Sequence, residues 1–470
     1  MAVKERLRRK VTTTKSIDST FDEKNEQEPT DIEDCVKSRR LYHNSSYHSF
    51  TAQEIDQLQT NLLNWFDKAK RTNMPWRKPV DPHLDKEALG QRAYEVATVI
   101  GYYNRWMEKF PTIYDLAKAD IEEVNKLWAG LGYYSRASRL WSGAKLVVEK
   151  YDGCLPNNAK DLETSIPGIG PYTAGAIASI VFQQQTPLVD GNVIRVLSRL
   201  RTIGGDMKNG EIVKLFWSIA KTIVPSSRPG DFNQALMELG ARICTPQNPQ
   251  CDQCPVQDQC RALAHLKLHT KLMDQVWKKE REDQKEKEET IDHECEYCPV
   301  ITENLEHENY TVTRYPVKSD KKPPRDEECA VCILEATSHD NGSIESKYLI
   351  TKRPEKGLLA GLWEFPTVEL NNTKSTYKQR SQHITTFLKD QHKINLNEIK
   401  HKRQDLENVV HLFSHIRKVY HVEWVSISNK DVVDISIDGN WVTMEELKTS
   451  PIPTGLKKAI KLLEKAQKVI

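Results

Sequence analysis

Apolar residues recur every three to four positions from Thr51 onward, which is the spacing of one buried helix face. The first such run contains Ile55, Leu58, Leu62, Leu63 and Phe66. Helix-like segments continue to about Leu266. From Cys329 the pattern changes to short runs rich in β-branched residues, as in AVCILEAT, KYLITKR and VYHVEWVSI, with helix-like ITTFLKD and TGLKKAIKLLEKA between and after them. The sequence therefore predicts an all-α domain followed by an α+β domain.

Two segments lack this apolar periodicity. Residues 1–45 are polar, so we expect a disordered N-terminal tail. Residues 267–327 contain the charge-dense run KKEREDQKEKEET and the polar run KSDKKPPRD, and we interpret them as a connector between domains. A solvated helix explains the charge run equally well. The predicted organisation is a helical domain over residues 46–266 and an α+β domain over residues 328–470.

Length, charge and cysteine usage narrow the class of protein. A chain of 470 residues is long enough for about three domains. The net charge of +2 means that any surface for nucleic acid must be a local basic patch. No run approaches the roughly 18 apolar residues of a membrane helix, so we expect a soluble protein without a membrane partner. Ten cysteines without a secretory signal favour thiols and metal ligands over disulfides.

Four of the cysteines form a compact C-x6-C-x2-C-x5-C pattern. They are Cys244, Cys251, Cys254 and Cys260. Four thiolates from one short loop can enclose an iron-sulfur cluster. A structural zinc ion needs the same number of ligands, so the spacing alone leaves both metals open.

A glycine-rich turn and an aspartate follow one another at a short distance. The run LETSIPGIGPYTAGAI places Gly168 and Gly170 between two apolar helical segments. Such a turn exposes backbone N–H groups that suit a DNA phosphate, although an ordinary helix-helix turn has the same composition. Asp190 stands between an apolar run and a helix, with Asn192 two positions later. An aspartate at this place is most often a helix N-cap.

Taken together, these motifs resemble the MutY-type adenine DNA glycosylases of the endonuclease III superfamily. The resemblance implies a helix-hairpin-helix glycosylase domain with a 4Fe-4S cluster in the loop of residues 244–260, whose flanks Arg242 and Arg261 face DNA. Bifunctional relatives carry a nucleophilic lysine after the proline of the hairpin, whereas this chain has Tyr172. The resemblance therefore implies a monofunctional enzyme, in which Tyr172, Asp190 and Asn192 act on a flipped adenine.

Further matches imply how the DNA is held. In LWAGLGYYSRASRL the resemblance makes Tyr133 a wedge in the base stack and Arg136 a phosphate ligand, whereas Trp128 and Leu131 suit the core. KRPEKGLLAGLWEFPTVEL matches a Nudix-like domain, but no Nudix box of clustered acids follows it. The resemblance assigns 8-oxoguanine recognition to Phe413, Ser414 and His415. The alternative is that Phe413 is strand core and that His415 is a satisfied polar group.

One part of the family pattern is missing. MPWRK stands at Met74–Lys78 and VATVIGYY at Val96–Tyr103, but the helix that carries the family's general acid between them is shortened by about a dozen residues. Glu87 and Glu95 lie near the gap without the surrounding motif. We therefore predict that the chain is catalytically impaired, or that it acts as a lesion-binding form without base release.

The connector offers a second metal site. Cys295 and Cys298 have metal-ligand spacing in CEYC, and animal relatives are similar in binding zinc there with an upstream histidine, which matches His48. The family's additional upstream cysteine has no counterpart. Glu288 occupies about that position, and His293 is a candidate substitute.

Partners and location follow from the same resemblance. We expect a monomer that binds double-stranded DNA containing an adenine/8-oxoguanine mismatch, and that meets repair and replication proteins through the connector. The basic start MAVKERLRRKVTTTKS favours the nucleus, with the mitochondrion as an additional location.

Overall fold

The computed structural model describes residues 45–72, 74, 85, 88, 100–129, 131, 133–279, 311–317, 323–340, 343–354, 357–370, 375–428 and 439–468. The chain divides into two compact units, Met1–Tyr47 with Leu268–Glu296 and His48–Lys267 with Tyr297–Ile470. Residues 1–44, Glu87, Glu95, Glu288, His293, Cys295 and Cys298 lie outside the described residues. Within the described ranges, no helix has the length and apolar character needed to cross a membrane.

The first long helix, α1 (Ala52–Ala69), confirms the apolar spacing found from Thr51 onward. A capping box begins it, because the Thr51 Oγ1 accepts the Glu54 N–H at 3.2 Å and Glu54 Oε2 accepts the Thr51 N–H at 2.8 Å. The buried positions are Leu58, Leu62 and Phe66. They face the core at the three-to-four-residue interval that the sequence predicted.

The helical domain continues with ten further helices in the described part of the chain. They are α2 (Ile100–Lys109), α3 (Ile113–Lys118), α4 (Ile121–Trp128), α5 (Tyr134–Tyr151), α6 (Ala159–Ser165), α7 (Pro171–Ile180), α8 (Gly191–Arg201), α9 (Gly210–Ile223), α10 (Pro229–Arg242) and α11 (Arg261–Lys279). Helices α1, α8, α9 and α10 share one hydrophobic cluster. Helices α2 to α5 share a second, which buries Trp128 as the sequence predicted.

The α+β domain is built on one mixed sheet. Its strands are β1 (Arg325–Asp340), β2 (Ser343–Lys352), β3 (Trp363–Glu364), β4 (Thr367–Leu370), β5 (His401–Asp405), β6 (Val409–Leu412), β7 (Ile416–Ser428) and β8 (Asn440–Val442). The strand order in the sheet is β3-β2-β1-β7-β5. In addition, β4 pairs with β1, β6 pairs with β7, and β8 pairs with β2. The central pair β1 and β7 is parallel, in a register that runs from Arg325 opposite Ile416 to Thr337 opposite Ser428.

Helices cover both faces of this sheet. They are α12 (Tyr377–His392), α13 (Met444–Thr449) and α14 (Thr454–Gln467). Alternate residues of β1 point to opposite sides, so Cys332 and Leu334 pack with α12, whereas Val331 and Ile333 pack with α14. The predicted α+β domain is confirmed.

Candidate functional site

Asp190 lies at the start of α8 and caps it. Its Oδ1 accepts the backbone N–H groups of Asn192 at 2.9 Å and Val193 at 2.8 Å, and its Oδ2 accepts Asn192 Nδ2 at 2.9 Å. The capping role, which the sequence offered as the alternative to catalysis, is therefore realised. Capping also fixes the carboxylate in one orientation at the N-terminus of the helix.

Arg195 extends this network from the aspartate turn to the cysteine loop. Its Nη2 donates to Asn192 Oδ1 at 2.8 Å and to the Gly240 carbonyl at 2.6 Å, and its Nε donates to the Cys244 carbonyl at 2.8 Å. A single side chain thus joins the turn that holds Asp190 to the first cysteine of the quartet.

Close packing of α10 against α8 brings the two ends of this network together. A Cβ on Gly240 would lie 2.7 Å from the Asn192 Cβ and 2.9 Å from its carbonyl oxygen. Only glycine allows this approach, because a methyl group there would push the cysteine loop away from the Asp190 turn.

The predicted hairpin forms the turn between α6 and α7. Gly168 has a φ of +85°, and a Cβ there would meet the Arg139 Cβ at 2.6 Å, so both conformation and space require glycine. Gly170 is the N-cap of α7, which begins with Pro171. The first-turn N–H groups of α7 have no side-chain cap from Gly170, which is the arrangement expected of a backbone phosphate site.

Tyr172 lies in the first turn of α7, within electrostatic reach of Asp190. Its hydroxyl donates to Met237 Sδ at 3.4 Å, and the residue as a whole is 40% exposed. Burial of the hydroxyl raises the pKa of Tyr172, and the negative charge of Asp190 adds to the rise. The phenol is therefore neutral at physiological pH, beside a carboxylate that can stabilise positive charge.

Tyr133 stands at the N-cap of α5 in the left-handed region, with φ +49°, and 72% of it is exposed. A bulky residue in this conformation stores about 1–3 kcal/mol of strain, and such strain is found mostly at functional sites. The Arg136 guanidinium lies 4.8 Å from the centre of its ring. Both residues are exposed on the same turn, so the structure brings the predicted wedge and phosphate ligand together.

The four cysteines of the quartet border one cavity. Its apolar walls include Val196, Leu200, Leu239, Ile243 and Leu263. Four thiols that line one cavity are the ligand set that an iron-sulfur cluster requires.

Burial also affects the protonation of two of these thiols. Burial raises the pKa of Cys254 to about 12 and that of Cys260 to about 11, and neighbouring cysteine charges add to both. Without metal, the Cys254 and Cys260 thiols stay protonated at neutral pH, so cluster binding must displace their protons. When bound, the group would provide four metal–thiolate links that tie this loop together.

The two arginines beside the loop differ in exposure. Arg242 is 42% exposed and contacts the Ala69 carbonyl and Glu238. Arg261 is mostly buried and lies 3.5 Å from Glu54. Of the two predicted flanking cations, only Arg242 therefore keeps substantial exposure toward solvent.

Phe413, Ser414 and His415 form the turn between β6 and β7. The Phe413 N–H donates to the Ile416 carbonyl at 2.7 Å, and Ser414 Oγ lies 3.1 Å from His415 Nδ1. Ser414 and His415 are exposed and Phe413 is half-buried after the last residue of β6. Phe413 directly follows the last residue of β6, and His415 has a hydrogen-bond partner in Ser414, so the assignment of 8-oxoguanine recognition to this turn stays a prediction.

His48, the proposed zinc ligand, is fully buried. Its Nδ1 lies 2.7 Å from the Arg201 carbonyl. A carbonyl can only accept, so Nδ1 carries the proton and the lone pair of the neutral ring is on Nε2. Burial lowers the pKa of His48, which favours this neutral form.

Sequence reasoning missed Arg195 and Arg199. Both lie on α8, four residues apart and so on one face of a helix that is otherwise largely apolar. The signal in the sequence was the presence of two arginines on the side of the helix that faces the core. A buried guanidinium needs several hydrogen-bond acceptors, so such a pair indicates a buried polar network.

Comparison with known families agrees with this geometry. Residues 87–222 match the HhH-GPD superfamily base excision DNA repair proteins, residues 244–260 match the iron-sulfur binding domain of endonuclease III, and residues 343–462 match the NUDIX domain. The iron-sulfur assignment of the quartet is thereby confirmed over zinc.

Relatives match over most of the chain. An adenine DNA glycosylase of Rattus norvegicus is 41% identical over 441 residues, which cover 89% of this chain and 80% of the rat protein. That of Homo sapiens is 40% identical, covering 90% and 77%. Among solved structures, a thermostable thymine-DNA glycosylase overlaps 45% of this chain and 97% of its own, with 27% identity and a TM-score of 0.38.

Proposed function

Because the chain belongs to the adenine DNA glycosylases, the DNA N-glycosylases of base excision repair, we propose that it is the monofunctional type, specific for adenine opposite 8-oxoguanine or guanine. The observation that carries this proposal is that Tyr172 and Asp190 stand at the starts of α7 and α8, where the charge of Asp190 raises the pKa of Tyr172. No lysine occupies the first turn of α7, so the site offers charge stabilisation rather than an amine nucleophile.

In the proposed mechanism, the hairpin at Gly168 and Gly170 binds a phosphate while Tyr133 fills the gap left by the flipped adenine. The Asp190 carboxylate then stabilises the positive charge that develops on the sugar as the bond to the base breaks. Asn192 holds Asp190 Oδ2, and the charge of Asp190 helps to keep the Tyr172 hydroxyl neutral.

A trapping experiment tests the monofunctional assignment. On a duplex that already contains an abasic site opposite 8-oxoguanine, borohydride should trap no covalent adduct of the chain, because Tyr172 cannot form an imine. The Tyr172→Lys variant supplies an amine at the same place and should give an adduct. A strong adduct with the unsubstituted chain would instead support a lyase of the endonuclease III type.

A second function is favoured by the shortened segment before Val96. Without the family's general acid, the chain would bind the lesion and release no base. Equilibrium binding to a mismatched duplex, measured beside adenine release on the same duplex, separates this lesion-sensing role from catalysis.

We propose that the turn of Phe413, Ser414 and His415 reads 8-oxoguanine. His415→Ala should lower the preference for 8-oxoguanine over guanine by roughly tenfold, since one well-placed pair of hydrogen bonds discriminates bases to about this extent. The measurement is the ratio of dissociation constants for duplexes that carry a non-hydrolysable adenine analogue opposite each base.

The matched control is His401→Ala, which removes an exposed histidine from β5, the strand paired with the far end of β7. This control should leave the ratio unchanged. If His415→Ala and His401→Ala give the same ratio as the unsubstituted chain, the turn does not read the lesion.

We also propose zinc binding by Cys295, Cys298 and His48. The Nδ1–H of His48 donates to a backbone carbonyl, which is the usual second contact of a histidine metal ligand. Elemental analysis of the purified chain should find zinc beside iron. Cys298→Ser should lower the zinc content several-fold and leave iron unchanged. Equal zinc in Cys298→Ser and unsubstituted protein would rule this site out.

A further inference from the structure

A short segment far along the chain from the cysteine quartet also borders the cluster cavity. This segment, residues 311–317, is called the closing segment below. Val312 is 5% exposed, lies in the cavity wall, and packs with Ala262 and Leu263 at the start of α11. Tyr315 packs against the same group of residues. The cavity is thus walled by α8, by residues 239–263 and by the closing segment.

Arg199 links the cysteine loop to the closing segment through hydrogen bonds. It is 2% exposed. Its Nε donates to the Tyr315 carbonyl at 3.0 Å, whereas its Nη1 lies 3.3 Å from Cys244 Sγ and 2.7 Å from the Thr245 carbonyl. Because the guanidinium is rigid and planar, a shift of the cysteine loop changes the position of the donor that holds Tyr315.

We propose that the cluster-binding site has this second part, and that the closing segment and the cluster hold each other in place. Val312 supplies an apolar wall that excludes water and dissolved oxidants. Arg199 couples the cysteine loop to the closing segment, because a shift at Cys244 moves the guanidinium that holds the Tyr315 carbonyl. Two groups that each bind best when the other is present stabilise one another by equal factors. Cluster loss should therefore release the closing segment, and displacing the segment should speed cluster loss.

The first test compares Val312→Asp with Thr311→Asp in the full-length chain carrying its cluster. Both variants add the same charge, but Thr311 is exposed, whereas Val312 faces the cavity. The measurement is the rate at which the visible absorbance of the cluster decays with a chelator in aerated buffer. The cluster of Val312→Asp should decay roughly tenfold faster, because a tenfold change corresponds to about the free energy of burying one valine side chain. The cluster of Thr311→Asp should decay at the rate of the unsubstituted chain. Equal decay in all three overturns the proposal.

The second test needs no substitution, so it stands even if Val312→Asp folds poorly. Trypsin cleavage of the Arg314–Tyr315 bond is followed by fragment mass, in the cluster-loaded chain and in the chain stripped of its cluster by chelation. Cleavage after the exposed Lys393 at the end of α12 is the internal reference. The Arg314 bond should be cut several-fold faster after stripping, with the Lys393 bond unchanged. Unchanged cleavage at Arg314, or an equal increase at both bonds, contradicts the coupling.

Discussion

In single-turnover reactions on a duplex with adenine opposite 8-oxoguanine, the chain should release adenine at least about 100-fold more slowly than the rat relative. A general acid contributes on the order of 10² to 10⁴ in rate, and we predict from the sequence between Lys78 and Val96, which lacks the family's motif for that acid, that this contribution is lost. Asp190 and Tyr172 remain in position at the starts of α8 and α7. The defect should therefore lie in chemistry rather than in folding or binding.

Two controls distinguish a defect in the chemical step from a defect in folding or DNA binding. Affinity for a duplex with a non-hydrolysable adenine analogue should stay within a few-fold of that of the rat relative, because the residues proposed to hold the DNA (the hairpin, Tyr133 and the turn of Phe413, Ser414 and His415) are all present. A chimera that receives the rat segment between the MPW and VATVI matches should recover most of the lost rate. Robust release by the chain as it stands, or no gain in the chimera, would show that the shortened segment is not the cause.

The sequence predicted well what depends on local spacing. The capped helix α1, the cysteine loop and the hairpin turn each follow from residues within one short window, where periodicity, ligand intervals and glycine placement act directly. The strands β1, β2 and β7 were also found from their β-branched runs. In each case the local preference agrees with the final fold.

Contacts between distant segments could not be predicted in this way. The bond from Arg199 to Tyr315 spans 116 positions, and nothing in either short motif indicates it. Likewise, the spacing before α8 could not say whether Asp190 caps the helix or faces a substrate. Its Oδ1 receives two backbone N–H groups, so capping orients the carboxylate proposed for catalysis.

Arg195→Met should have the second large effect, lowering the free energy of unfolding of the cluster-loaded chain by about 3 kcal/mol. The substitution keeps much of the side-chain volume but removes every donor, which leaves the Gly240 and Cys244 carbonyls without these partners. Hydrogen bonds from a charged donor contribute about 1.5–3 kcal/mol each, and losses within one network are not additive. Urea unfolding followed by tryptophan fluorescence measures the change.

The same substitution should also weaken mismatch binding, because Arg195 fixes Asn192, which in turn holds Asp190 Oδ2. Arg195→Lys tests the geometry: it keeps the charge but lacks the fork that reaches the Asn192 and Cys244 oxygens, so it should recover only part of the stability.

Arg136→Met is the matched control, since it removes an exposed arginine that contacts only the Tyr133 ring among the contacts described. It should change the unfolding free energy by less than about 0.5 kcal/mol. If Arg195→Met and Arg136→Met are equally stable, the Arg195 network does not join the aspartate turn to the cluster loop energetically. A large loss confined to Arg195→Met, with Arg195→Lys intermediate, shows that the two sites share one rigid support.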